Sequence, residues 1–297
     1  MRQIDATPAQ YLSTSLTRDT AAINFLSGTV ANPLYGLAPL FTSTTISRAN
    51  LLRPYPQFTG IAMNDSVGYS WYHSLQIRAE RRFNRGLTLN GGYAFTKLME
   101  ATSFLNDTDP MPYRGLSASH RPHRVTFSSL WEIPVGRKRA YLNHMARPLE
   151  AVIGNWQMSA IVIRQAGPPL AWGNIIFNGN PDLIQLDKGD RNVDRWFNID
   201  SGFNNNSAQA LSSNIRYFPV RLASVQADGQ AKWDVGIAKG FRFGERINLK
   251  VRAQIFNLMN HPNFAAPNVS PTSTAFGQVT ATAGLSRQVQ LAATITF

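Results

Sequence analysis

Apolar and polar residues alternate in seven separate stretches of the chain. Side chains of an extended chain point to opposite faces in turn, so such alternation gives a strand one apolar and one polar face. The closing stretch is the clearest case. Val289, Leu291, Ala293, Ile295 and Phe297 fall on one face, and Gln288, Gln290, Ala292, Thr294 and Thr296 on the other. Residues 71 to 83 set Leu75, Ile77 and Ala79 against Gln76, Arg78 and Glu80. After Asn84-Arg85-Gly86, Leu87, Leu89, Gly91, Tyr93 and Phe95 repeat the pattern, which predicts a hairpin with a tight turn. Residues 124 to 132 put Val125, Phe127, Ser129 and Trp131 on one face.

Residues 154 to 165 set Trp156, Met158, Ala160 and Val162 against Gln157 and Ser159, but Ile161 and Ile163 are apolar on the polar side. Either a bulge shifts the phase there or something inside covers them. Trp233, Val235, Ile237, Phe241 and Phe243 form an apolar face interrupted by Lys239, and Gly244-Glu245-Arg246 is a short turn. Ile247, Leu249, Val251, Ala253 and Ile255 face Asn248, Lys250, Arg252 and Gln254, until Phe256 breaks the pattern. Helical signals are few. Thr7-Pro8 reads as a helix start, and Asp19 with Gly28 brackets a short helix.

A tilted strand of about ten residues crosses an outer-membrane hydrocarbon layer, and its polar face then looks into a lumen. An edge strand of a soluble sandwich alternates as well, so the connections decide. Backward from Phe297 they run long (residues 257–286), short, long (166–230), a longer turn through Pro134-Val135-Gly136 and the basic Arg137, Lys138 and Arg139, long, short and long. Outer-membrane barrels have short periplasmic turns and long external loops, and this ordering fits with Phe297 in the periplasm. Trp71, Tyr72, Phe95, Trp131, Trp156, Trp233 and Phe243 sit near strand ends, where interfacial aromatic girdles belong. The expected fold class is all-β, an antiparallel transmembrane β-barrel segment of about seven strands with long external loops.

Composition narrows the picture. The hydrophobic content of 43% supports a substantial folded body, and the charged content of 15% is below the roughly one quarter usual in soluble domains. A net charge of +12 raises nucleic acid as a partner, but the basic residues are dispersed, and Arg also grips outer-leaflet phosphates. With no cysteine, disulfides and thiolate metal sites are excluded. No apolar run reaches the about eighteen residues of a membrane helix. The amino terminus, Met1-Arg2-Gln3-Ile4-Asp5, is not a secretory signal.

Candidate chemistry is sparse. His120 and His123 flank Arg121 beside Arg124; without a third ligand they read as a rim cluster facing water or lipid phosphate rather than a metal pair. Asp187, Asp190, Asn192 and Asp194 alternate with Lys188, Arg191 and Arg195, which oppose a cation and suggest a solvated loop held by ion pairs; Asn106, Asp107 and Asp109 read similarly. Arg216-Tyr217-Phe218 and Trp71-Tyr72 are explained by loop packing or a girdle sooner than by stacking on sugars or bases. No nucleophile elbow, metalloprotease helix or phosphate loop is present, so no catalytic residue and no cofactor is expected, and the protein is expected not to be an enzyme.

Several stretches carry a resemblance. They are Leu52-Arg53-Pro54-Tyr55-Pro56-Gln57-Phe58, Tyr72-His73-Ser74-Leu75-Gln76, Arg121-Pro122-His123-Arg124, Gly154-Asn155-Trp156-Gln157, Gln165-Ala166-Gly167-Pro168-Pro169-Leu170, Arg195-Trp196-Phe197-Asn198 and Phe256-Asn257-Leu258-Met259-Asn260-His261-Pro262-Asn263-Phe264. In their order and spacing they resemble the carboxy-terminal part of a TonB-dependent receptor, nearest the Oar-like group. The aromatic end also resembles the closing strand of bacterial outer-membrane barrels.

The resemblance implies a barrel of about twenty-two strands with an amino-terminal plug, importing a bulky ligand across the Gram-negative outer membrane. Residues 1–70 would then be an external loop region and 71–297 barrel strands and loops. Plug, energy-coupling box and signal are not in this sequence, so the chain is expected to be incomplete and inactive alone. Val289, Leu291, Ile295 and Phe297 would be the signal read by the barrel-assembly machinery. The implied partners are outer-membrane lipid and lipopolysaccharide, the assembly machinery, and the TonB complex through the missing plug, with no nucleic acid. The competing function is a soluble all-β binding module for acidic polymers or glycans.

Overall fold

Each alternating stretch is a strand in the computed structural model, which describes residues 2–37, 42–84, 86–137, 139–243 and 246–297. Arg85, Lys138, Gly244 and Glu245, assigned to turns above, and Met1 lie outside the described residues. The long strands are β1 (Tyr69–Asn84), β2 (Leu87–Ala101), β3 (His123–Glu132), β4 (Trp156–Gln165), β5 (Gln230–Phe243), β6 (Ile247–Phe256) and β7 (Gln288–Thr296). They form one antiparallel up-and-down sheet in which every strand pairs with its neighbours in sequence, and the two-residue strand Gly115–Leu116 adds to β2. Among the described residues β1 and β7 each lack a partner on their outer side, so the sheet is an open segment of a barrel wall.

The phase of the alternation is kept across every ladder. Ile77 is opposite Tyr93, Tyr93 opposite Val125, and Phe127 opposite Val162. Val162 is opposite Trp233, Ile237 opposite Ala253, and Ala253 opposite Leu291. A slip of one residue in any ladder would send a whole strand's apolar set to the other side. The ladder of β4 with β5 runs without a break from Trp156 to Gln165 and that with β3 from Gln157 to Gln165, so no bulge accounts for Ile161 and Ile163. Ile161 lies between Ser128 and Asp234 on the polar face and is 51% exposed.

The main buried core lies outside the sheet. Leu170, Trp172, Ile184, Trp196, Phe197, Phe218, Val225, Ala227 and Phe276 pack together in the loops that follow β4 and β6. Residues 166 to 230, expected to be irregular, contain a paired segment of Pro169–Ala171 with Arg221–Gln226 and a 3-10 turn at Pro181–Ile184. Trp172 stacks on Phe203 at 5.2 Å and meets Phe197 edge-on at 5.1 Å, and Trp196 Nε1 donates to the Gln226 carbonyl at 2.8 Å. Gly167 lies so close to the Ala227 carbonyl that a side chain there would collide with it. The location is physically consistent: a wall with one face in lipid and one on a lumen has no dry protein side, so protein packs against protein only in the loop layer.

Residues before β1 join this layer. Ser13 bridges Asn214, the Ile215 amide donates to the Ser13 carbonyl at 2.9 Å, and Asn214 Nδ2 donates to the Ser15 carbonyl at 2.9 Å. Helix α1 (Thr20–Ser27) is capped by the Asp19 carboxylate, which accepts from the Ala22 amide at 2.9 Å. The expected helix after Thr7-Pro8 is only a 3-10 turn, Ala9–Tyr11.

On the opposite rim, β3 and β4 are joined through α2 (Arg147–Ile153), where the basic run had suggested a plain turn. Gly154 caps this helix, and Asn155 adopts a left-handed φ of 58°. The strand expected from residue 154 therefore begins at Trp156.

Candidate membrane face and its rims

The shared phase gives the sheet one continuous apolar face. Its middle carries Ile77, Phe127, Val162, Val235, Ala253 and Leu291. Leu291 is 75% exposed, and Phe297, one residue beyond β7, is 97% exposed. The reverse face carries Gln76, Arg78, Glu80, Asn90, Ser128, Asp234, Arg252 and Gln290 at register-matched positions. One side is suited to hydrocarbon and the other to a water-filled lumen.

The antiparallel order sorts the connections. β1 ends at Asn84 where β2 begins at Leu87, and β5 ends at Phe243 where β6 begins at Ile247, so these short links share a rim with α2 and Phe297. The loops around residues 102–122, 166–229 and 257–287 lie on the other rim with the amino-terminal segment.

The aromatic residues named from sequence divide in three ways. Trp71, Phe95 and Trp233 stand on the apolar face toward the long-loop rim, and Trp131, Trp156 and Phe243 on the same face toward the turn rim. Tyr72 is a correction. It stands opposite Leu98 on the polar face, because adjacent residues of a strand cannot share a face. Tyr69, missed in the sequence, stacks on Trp71 at 5.7 Å, and Arg114 donates to the Tyr69 hydroxyl at 2.7 Å. Its signal was present: it lies two residues before Trp71.

Lys239, the interruption in the apolar face, is reconciled by its depth. It is opposite Trp156 at the turn-rim end of β4, is only 6% exposed, and donates from Nζ to the Gly154 carbonyl at 2.5 Å. The ammonium lies 4.9 Å from the Trp156 ring centre and 5.2 Å from that of Phe241. A long side chain bent to the rim keeps its charge out of the hydrocarbon.

The histidines do not form one cluster. His120 is buried at 6% exposure and accepts the Leu98 amide on Nδ1 at 3.2 Å. Burial holds its pKa below the usual 6.5, and Arg121 and Lys97 push the same way. His123 stands on the apolar face, joined through Nδ1 to the Tyr93 hydroxyl at 2.9 Å and tilted against Phe95 at 5.1 Å. In the acidic loop, the Asn192 carboxamide oxygen accepts the Asp194 and Arg195 amides, both at 2.9 Å, and Arg195 pairs with Asp200 at 2.8 Å. The turn is thus organised by Asn192 more than by ion pairs of Asp187, Asp190 or Asp194.

A groove of about 870 Å³ opens at the long-loop rim of the apolar face. Tyr93, His123 and Arg164 line it from the strands, and Lys188, Arg191 and His261 from the loops. These residues are scattered from position 93 to 261; His123 was expected at a rim facing water or lipid phosphate, but nothing in the sequence joins it to Arg164, Lys188, Arg191 and His261.

The family model described as an outer membrane beta barrel domain matches residues 12–290. No curated protein and no solved structure matches the chain. With one apolar face held in phase through seven strands and a family match over nearly the whole length, the chain belongs to the outer membrane β-barrel domain family and resides in the outer membrane of Gram-negative bacteria.

Proposed function

We propose that this wall belongs to the barrel of a TonB-dependent receptor that imports a bulky ligand, with the long loops external and the turns and Phe297 in the periplasm. The observation that carries the reading is the pair of open edges. β1 is 16 residues long and β7 is 9, and each has an unpaired outer side among the described residues. In lipid each unpaired backbone group costs several kcal/mol, so further strands must complete the wall. A large barrel with a plugged lumen is the architecture that this incompleteness and the resemblance of the motif series jointly support.

In this reading the barrel-assembly machinery recognises β7 through Val289, Leu291, Ile295 and Phe297. The TonB complex acts through a plug supplied elsewhere, outer-membrane lipid and lipopolysaccharide surround the wall, and the protein neither catalyses a reaction nor binds nucleic acid. The soluble-module alternative is disfavoured by the exposed Leu75, Ile77, Leu291 and Ile295 on one continuous face. Reading the coding DNA upstream of Met1 tests the proposal. An in-frame extension encoding a plug and a signal supports import; a stop codon and ribosome-binding site directly before Met1 would withdraw it.

A further inference from the structure

We infer that the groove at the long-loop rim of the apolar face seats a phosphate of an outer-leaflet glycolipid. The inference rests on the orientation proposed above and does not depend on import. Position is the first argument. Tyr93, Val125 and Arg164 line the groove and are in register on the face that carries Phe127 and Val162 nearer its middle. An amphiphile with its head in the groove would therefore lay its acyl chains along Val125, Phe127, Val162 and Trp233. A free anion would make no use of that surface.

Charge is the second argument. Arg164 and Lys188 are exposed and take part in none of the ion pairs among the described residues. Arg191 is partly buried, with its guanidinium 5.1 Å from the Trp196 ring centre and its Nε without a partner. Two carboxylates also line the groove. Asp228 is engaged by the Gly229 and Phe264 amides at 2.9 and 2.8 Å, which leaves Asp187 as the one opposing acid without such a bond. Asp228 keeps its charge and faces Arg191, so three permanent cations stand against two carboxylates, a balance that stays positive, and His123 and His261 add donors. Arginine forks match phosphate oxygens in pairs, and a groove walled by protein and lipid weakens the competition from water.

The test measures binding of lipid A to the full chain in detergent micelles, with enzymatically dephosphorylated lipid A of the same acyl composition and inorganic phosphate as the other probes. The expected result is tight binding of phosphorylated lipid A, weakened about tenfold for each cation removed in Arg164→Gln and Lys188→Gln. Arg164→Lys should retain most of the affinity, and Arg195→Gln, already paired with Asp200 outside the groove, should retain all of it. Equal affinity for the dephosphorylated lipid, unchanged binding in the double variant, or inorganic phosphate binding as tightly as the lipid would each overturn the inference. The last outcome would identify a free-anion site. Heat-modifiable migration of each variant separates lost binding from lost folding, and Lys188→Gln, which removes an exposed loop cation, still decides the question if Arg164→Gln does not fold.

Discussion

Phe127 and Ser128 are neighbours at the same depth near the middle of β3, yet the register sends them to opposite media. Phe127 lies between Gly91 and Val162 on the apolar face, and Ser128 between Asn90 and Ile161 on the polar face. In Phe127→Arg a guanidinium enters hydrocarbon beside a glycine that offers no side chain to cover it. An arginine on the lipid face near the midplane costs about 2–4 kcal/mol. Loss of the phenyl ring from lipid adds roughly 1.5–3 kcal/mol. In Ser128→Arg the same group enters a wet lumen lined by Asn90 and Asp234, where a cost of about 0–1 kcal/mol is expected. The difference is about 2.5–7 kcal/mol, which corresponds to about seventyfold or more in the folding equilibrium. Urea titration of the chain folded into lipid vesicles, read by tryptophan fluorescence and heat-modifiable migration, measures both. Equal costs, or a larger cost for Ser128→Arg, would refute the assignment of faces.

Phe297→Asp is expected to impair assembly, read as the fraction of the chain recovered in outer membranes; normal recovery would contradict a role for the terminal aromatic. Trp196→Ala removes a side chain that is 5% exposed from the loop core and should cost about 3–5 kcal/mol there. Limited proteolysis should then cut within residues 166–229 while the strands persist, and an unchanged digest would count against a cooperative loop layer. His120 binds its proton less readily when folded than when unfolded, so the folded loop layer is favoured above pH 6.5. That advantage is lost as pH falls from 6.5 to the lowered folded value. The protection factor of the Leu98 amide, that is its exchange corrected for the intrinsic pH dependence of amide exchange, should fall over that window, and His120→Gln should abolish this fall.

The strands were legible because lipid and lumen impose opposite demands on neighbouring residues, a period-two signal that loops cannot mimic over ten positions. Their ends were less legible, since these are set by the flanking turns and by pairing partners distant in sequence. The strand at Trp156 starts late because Asn155 takes a left-handed turn after α2, and β2 runs on to Ala101 where Gly115–Leu116 pairs with it. The loop core was missed because Trp172, Trp196, Phe197, Phe218 and Phe276 follow no period and meet only in three dimensions.

The motifs behind the receptor resemblance prove to be places where the chain is anchored. Trp196 and Phe197 sit in the core, and Gly167 abuts the Ala227 carbonyl. Asn257, with a φ of 51°, donates its amide to Asp234 and ties the His261 and Leu285 carbonyls together. Such positions are constrained by geometry, so they are informative about architecture. The groove at the long-loop rim was legible only at His123, because its cations come from a strand end and a distant loop.

Labelling single cysteines in intact cells reports which rim of the wall faces outward, and the chain contains no cysteine of its own to interfere. Asp190→Cys in a long loop and Arg246→Cys beside a short turn, both at exposed positions, are treated with a membrane-impermeant maleimide. Rapid labelling of Asp190→Cys is expected in intact cells, and labelling of Arg246→Cys only after the outer membrane is permeabilised. Equal labelling of both without permeabilisation, or the reverse order, would contradict a wall that crosses the outer membrane with its long loops outside.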